Sequence, residues 1–451
     1  MRARIFIVLG ITGALGASAA CRSATDTGAI TLDQANVARQ PSGDVPQAAL
    51  QAAVDANNAF AAALYAQIRG DAGATNLLTS PISASLALTM TYAGAAGTTA
   101  TQMASALQIE GDAGTSIFEG QNALSQELAS VGSLALRNEQ ELQVPDASAD
   151  DFQLEVVNSV WGQESYPWAE PFLSILAMDY GTGVVLEDFS TQSAQATQTI
   201  NAWVSTETDG EINDLLPPMA IDSMTRMVLV NAVHLKFPWV NPFDPSATTT
   251  GAFVRSDGVT VSPSFMTQSE ALLYEDDGQA QIASIPLTGG VAIVVALPHT
   301  GVDLAAYEAV LTPGVPPLAT PSTTVQVALS LPKLTFTSPS FSLAASLQAM
   351  GMVDAFDPNA ANFSGMCPQP PDGLNLYLSD VLQKTTVSMT ETGVQAAAAS
   401  AATLEVTSYE EPPTQSATLV LNRPYLLAIL DPIGTVLFLG HIEDPTASSS
   451  P

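Results

Sequence analysis

The sequence predicts a mixed α/β chain folded as one large domain, and three observations carry that expectation. Leu50, Val54, Ala61, Leu64, Tyr65 and Ile68 recur at helical spacing, the mark of an amphipathic helix. Apolar runs at 154–161, 291–297, 425–430 and 436–441 have the length and continuity of buried strands. The chain has 451 residues and 47% hydrophobic content, enough for a large core. Length alone would allow about three domains, but no composition break divides the body.

Residues 1–20 read as a signal peptide: Arg2 and Arg4 precede an apolar stretch over 5–15, and small residues lead to Cys21. The stretch is too short to span a membrane. Ala17-Ser18-Ala19 offers one cleavage site, whereas Ser18-Ala19-Ala20-Cys21 resembles a bacterial lipobox with a poor first position. The lipobox is preferred, which makes Cys21 the lipidation site and the protein exported, either extracellular or lipid-anchored to the cell envelope. Residues 21–47 are polar and aperiodic, so a flexible tether is expected.

Twelve basic residues stand against 44 acidic ones, a net charge of −32. Such a chain repels phosphate backbones and anionic surfaces, which argues against nucleic acid and sulfated polysaccharide as partners; the excess either keeps the protein a soluble monomer or marks a saline setting. Two cysteines and three scattered histidines, His234, His299 and His441, show no ligand spacing, so neither a metal nor another cofactor is expected. With Cys21 lipidated, Cys367 is a lone thiol; without lipidation a Cys21–Cys367 disulfide stays open.

The folded part starts at about residue 48. Gly70 reads as the stop of the first helix. Ser80 suits an N-cap and Pro81 the first helical position of a helix running to about Tyr92. Gly94 and Gly97 break it, and Thr99 with Gln102 reads as a capping box for a helix through Leu107. Residues 110–150 are acidic and turn-rich, with only modest helical signals. Residues 173–180 and 200–204 look helical. Val325, Val327, Leu329 and Leu331 alternate as in a strand with one wet face. Residues 343–350 form a helix stopped by Gly351.

Near the end lies a segment of very small side chains: Glu391-Thr392-Gly393-Val394-Gln395, then Ala396, Ala397, Ala398 and Ala399, followed by a polar run to Pro413. Alanines favour a helix on propensity alone. Alternation favours a strand, because Val394, Ala396, Ala398, Ser400, Ala402 and Leu404 form a small apolar face while Gln395, Thr403 and Glu405 fall on the other.

Set between Lys384-Thr385-Thr386-Val387 and Asn422-Arg423-Pro424-Tyr425, this segment resembles the reactive-centre loop of the serpins. Further blocks resemble the family in the same order: 76–103 from Asn76 through Gly97-Thr98-Thr99 to Met103; Asn158; the run 227–239 from Met227 to Trp239; Pro332-Lys333-Leu334-Thr335-Phe336; and 352–365. Residues 366–373, with Cys367 and three prolines, depart from the pattern as a small insertion. The resemblance covers about 48–445 and implies a serpin domain at 48–446, with three β-sheets, about nine helices and an exposed loop at about 391–415. Residues 447–451 would be a polar tail.

What the resemblance implies in function is inhibition of a serine-type endopeptidase by suicide trapping. The protease attacks the loop, a covalent acyl complex forms, and the cleaved hinge inserts into the large sheet. The hinge residues would be Glu391, Gly393, Val394, Ala396, Ala397, Ala398 and Ala399. The shutter beneath the opening strands would be Ser80, Ser83, Asn231 and Gln383. Val394 replaces a common threonine, Thr392 a common acid, and Gln383 a common histidine; glutamine can still donate and accept. By family spacing the cut falls at Thr407-Ser408, with Val406-Thr407 and Tyr409-Glu410 left open because the segment before Pro424 is long. Thr407 or Val406 would suit an elastase-like or subtilisin-like target, and Tyr409 a chymotrypsin-like one. The alternatives are a non-inhibitory serpin acting as a binding or structural module and a cross-class inhibitor of papain-like cysteine proteases. An enzyme is not expected: no G-x-S-x-G occurs, and His234 and His441 lie inside strand-like runs.

Overall fold

Strand-forming runs bounded by turn residues build two large sheets, and helices with one apolar face cover them. The computed structural model describes residues 3–10, 31–72, 75–109, 116–141, 152–207, 214–309, 321–394, 413 and 415–447. The first half comprises β1 (Ala3–Gly10), β2 (Thr31–Asp33), α1 (Gln47–Ala72), β3 (Leu77–Thr79), α2 (Pro81–Tyr92), α3 (Gly97–Ala106), α4 (Ser116–Glu141), β4 (Gln153–Gln163), α5 (Glu170–Tyr180), β5 (Val184–Glu187), α6 (Phe189–Glu207) and β6 (Thr225–Pro238). The middle adds β7 (Thr249–Thr250), β8 (Phe253–Val254), β9 (Thr260–Val261), β10 (Ser264–Asp276), β11 (Ala280–Pro286), β12 (Ala292–Pro298), α7 (Leu304–Ala309) and β13 (Thr324–Pro332). The rest is β14 (Leu334–Thr337), β15 (Phe341–Ser342), α8 (Ala344–Ala349), β16 (Leu376–Lys384), β17 (Thr386–Met389), β18 (Gly393–Val394), β19 (Ser416–Val420), β20 (Tyr425–Leu430) and β21 (Val436–Ile442).

Three sheets result, as the resemblance implied, and eight α-helices lie among the described residues. The largest sheet runs β14-β17-β18-β6-β1-β16-β15, with β4, β5 and β2 continuing outward from β6. The second runs β19-β13-β10-β11-β12-β20-β21-β3, with β7 beside β10; β8 and β9 form a small third sheet. Helix α2 is buried from Pro81 to Thr91, so it lies inside the core between the two large sheets. A separate apolar cluster of Trp161, Phe189, Ala196, Ile200, Val204, Val228, Val230 and Leu382 packs α6 onto the outer face of the large sheet.

Several expectations need correction. Residues 31–46 of the expected tether are docked on the domain, though mostly exposed, while 21–30 lie outside the described residues: β2 pairs with β5, and the Arg39 guanidinium donates to Asn122 and Ser125 on α4. Asn122 and Gln126 in turn donate to the Gln40 carbonyl. A short polar segment can dock through backbone groups and one hydrogen-bonded guanidinium, which composition does not reveal. Helix α4 spans 26 residues where only modest helical signals were visible. Its glycines weaken the propensity signal but permit close packing: a Cβ at Gly120 would lie 2.3 Å from the Ala49 carbonyl, and one at Gly132 2.2 Å from that of Phe152. Helix α1 runs through Gly70 to Ala72, and α6 begins at Phe189, well before residue 200.

Two expected caps are absent. The Ser80 hydroxyl donates to the Leu437 carbonyl and makes no cap bond to α2. Thr99 lies inside α3, where its hydroxyl accepts from the Asn362 N–H, and Gln102 accepts from the N–H groups of Val353 and Asp354. Both serve long-range contacts in place of local ones. Ala3–Gly10, within the expected leader, is a strand of the large sheet.

Candidate functional site

The long strand β6 and the strand pair β16–β17 border a gap in the large sheet. At its upper end the chain leaves β17 at Met389, turns, and returns as β18. Met389 pairs with Val394, while Gly393 and Val394 pair with Pro238 and Phe237 of β6. The turn closes with the Thr390 N–H donating to the Gly393 carbonyl at 2.9 Å. Position 393 has to be glycine here, because a Cβ would lie 2.4 Å from the Phe237 carbonyl oxygen. Val394 is 2% exposed, so the first alternating position of the loop is already inside the protein.

Trp239 and Glu391 hold this turn. The Trp239 backbone N–H donates to the Thr392 carbonyl at 3.1 Å, and its indole Nε1–H to the Thr390 carbonyl at 2.8 Å. Phe243, whose ring meets Trp239 edge-on, donates its N–H to the Glu391 carbonyl at 2.9 Å. The Glu391 carboxylate pairs with Lys333 Nζ at 2.7 Å and accepts from the Thr248 hydroxyl at 2.9 Å. Partial burial pushes the Glu391 carboxyl up, but bonds from Lys333, from its own backbone and from Thr248 outweigh it and hold it below the ordinary carboxylate value. Lys333 and Thr248 had no role assigned from sequence. Lys333 is one of only three lysines, the one signal that could have singled it out.

Below the gap, Gln383 is fully buried and its amide is satisfied on both sides. Its Oε1 accepts from the Thr79 hydroxyl at 2.5 Å and the Ser80 N–H at 3.2 Å, while its Nε2 donates to the Ser80 carbonyl at 2.9 Å. The Thr385 hydroxyl adds a bond to the Leu78 carbonyl at 2.9 Å. Glutamine thus ties β16 and its continuation to β3 through Ser80's backbone and Thr79's hydroxyl, a partner that sequence reasoning missed. Ser83 is buried on α2 nearby. Asn231 lies on β6 opposite Asn158 of β4, and between Asn231 and Gln383 the register places Leu9 of β1.

Of the predicted site residues, Glu391, Gly393 and Val394 meet at the upper end of the gap, and Ser80 and Gln383 bond below it. Ala396, Ala397, Ala398, Ala399, Val406, Thr407, Ser408, Tyr409 and Cys21 lie outside the described residues. Cys367 is a free, buried thiol, raised by burial, in the loop between α8 and β16. That loop is anchored where Asp372 pairs with the buried Arg226 at 2.9 Å and accepts from Tyr166. His441 is also buried: its Nδ1 lies 2.8 Å from Glu308 and its Nε2 3.1 Å from the Thr75 carbonyl.

A family model described as Serpin (serine protease inhibitor) matches residues 55–445. An uncharacterized serpin-like protein of Methanosarcina acetivorans is 31% identical over 400 residues, spanning 86% of this chain and 85% of its own. The macrophage plasminogen activator inhibitor 2 of Mus musculus is 30% identical over 418 residues, spanning 86% of this chain and 99% of its own. Among solved structures, human thyroxine-binding globulin complexed with thyroxine is similar with a TM-score of 0.69 and 27% identity, covering 88% of this chain and 100% of its own.

Proposed function

This chain belongs to the serpin family, whose members are generally protease inhibitors rather than enzymes, and from that premise we propose that it traps a serine-type endopeptidase as a suicide substrate. The attacking serine forms an acyl bond to a residue near Thr407, and the amine of the next residue leaves. The freed hinge then enters the gap between β6 and β16–β17 residue by residue, carrying the protease with it. The observation that carries this reading is the turn at 390–394, which has already brought Val394 into the gap antiparallel to β6. Small residues behind it can follow without a large desolvation penalty, whereas a charged one would have to be buried among packed strands.

The target in this reading is elastase-like, subtilisin-like or chymotrypsin-like, and the inhibitor is an exported monomer held by a lipid on Cys21. Intact mass of the membrane-fraction protein tests the anchor. Mature protein mixed separately with elastase, subtilisin, chymotrypsin and papain should give a denaturant-resistant complex with at least one of them. The sequence of the released C-terminal peptide then chooses among the candidate bonds. A second reading, a non-inhibitory binding module, draws support from the likeness to thyroxine-binding globulin. Clean loop cleavage by every protease, with neither complex nor a rise in melting temperature, favours it.

A further inference from the structure

The gap has two occupants. From above it holds β18, and from below it holds β1, which runs parallel to both neighbours. Residues Arg4 to Gly10 pair along β6 from Thr225 to Ala232, and Ala3 to Gly10 pair along the whole of β16 from Leu376 to Lys384. The register shifts once on each side, between Arg4 and Ile5 against β6 and between Ile5 and Phe6 against β16. The segment Ile5-Phe6-Ile7-Val8 is β-branched and aromatic throughout, the composition of strands set inside parallel sheets.

Loop insertion needs the same backbone groups. Gly393 lies opposite Pro238 and Val394 opposite Phe237, so each further loop residue moves one step down β6. In that register Ala398 would face Val233, Ala399 would face Ala232, and Val406 would face Thr225. The positions from Ala232 to Thr225 are those paired with β1. A ladder N–H or C=O group on this side of β6 can serve one neighbour at a time. With β1 in place, the loop can advance through Ala398 and no further.

We propose that the leader segment Ala3–Gly10 is an intramolecular occupant of this gap, and that a chain retaining it cannot complete loop insertion. The proposal rests on the insertion reading above. It makes removal of the leader an activating step, because processing before Cys21 cuts the occupant free from the domain. Parallel and antiparallel strands compete here for one set of hydrogen bonds, so the leader need not resemble the loop in direction to block it.

The test uses the full chain kept from export, with the leader confirmed by intact mass, beside the same chain carrying Ile7→Pro, which removes a ladder donor in the middle of β1. Amide exchange reports occupancy directly: residues 3–10 should exchange on the order of 10³-fold more slowly than unstructured chain in the parent and lose that protection in the variant. Loop cleavage should leave the parent's melting temperature nearly unchanged and raise the variant's by on the order of 10 °C or more. Unprotected leader amides in the parent, or a parent that gains as much as the variant on cleavage, overturn the proposal. Protected leader amides with no rise in either chain sustain the occupancy and sink the insertion reading instead.

Discussion

At the upper end of the gap the chain is held by its own neighbours: a four-residue turn, one glycine pressed against β6, and the Lys333–Glu391 ion pair with its lysine partly in water. At the lower end the strands are held by a fully buried amide whose partners lie about 300 positions away. Beside the buried Trp239 bonds, the upper end relies on an ion pair that is close to solvent and individually weak, as suits a place where strands must part. The lower contacts are dry and satisfied, so losing one leaves orphaned backbone groups. Opening the sheet from the top is therefore the less demanding route.

The largest expected effect breaks the upper end's ability to zip. Ala398→Arg places a cation at an inward position of the advancing loop; the covalent complex should fall at least about tenfold while loop cleavage persists. Densitometry of complex against cleaved inhibitor measures it, and an unchanged complex yield would remove insertion from the mechanism. Next, Gln383→Ala should destabilise the lower end by roughly 2 to 3 kcal/mol, since the Ser80 N–H and carbonyl both lose a buried partner. A fall in the denaturant midpoint with no change in the hinge's exchange rate would confirm that the two ends are separate.

Glu391→Gln is smaller, about 1 kcal/mol, because Lys333 is partly exposed. The pH dependence has a definite sign: Glu391 lies below its ordinary value, so its contribution is present above that value and disappears as pH falls through the folded one. Amide exchange at 390–394 should rise in the variant at neutral pH and match the parent in acid. Asp179→Asn sharpens the contrast from outside the gap. Burial, reinforced by Glu119 against the opposing pull of Arg39, raises Asp179 from 3.8 to about 6. A raised carboxyl opposes folding increasingly as pH climbs through that window, so the variant should gain about 1 kcal/mol at pH 7.5 and almost nothing near pH 4. Thermal melts at the two pH values check it, and the gap's exchange rates should not move.

The inward place of Val394 was legible because its signal is local: alternation alone assigned it to the face that the structure buries. The main strands were legible as continuous apolar runs and α2 from the proline at its first position, which are local signals too. Residues 116–141 were not, because small side chains and two glycines at the helix contacts mute the helical period. Thr79 and Lys333 were missed because nothing nearby in sequence marks their partners.

By itself the sequence determined which segments are apolar, which are small enough to enter a sheet, and the order of blocks that resemble the family. Tertiary structure alone decided the polar pairings, the docking of residues 31–46 on β5 and α4, and the presence of Ala3–Gly10 between β6 and β16. The physical reason is that side-chain periodicity records contact with a core, whereas a ladder hydrogen bond uses groups that every non-proline residue carries, so its partner is fixed only by the arrangement of strands in space.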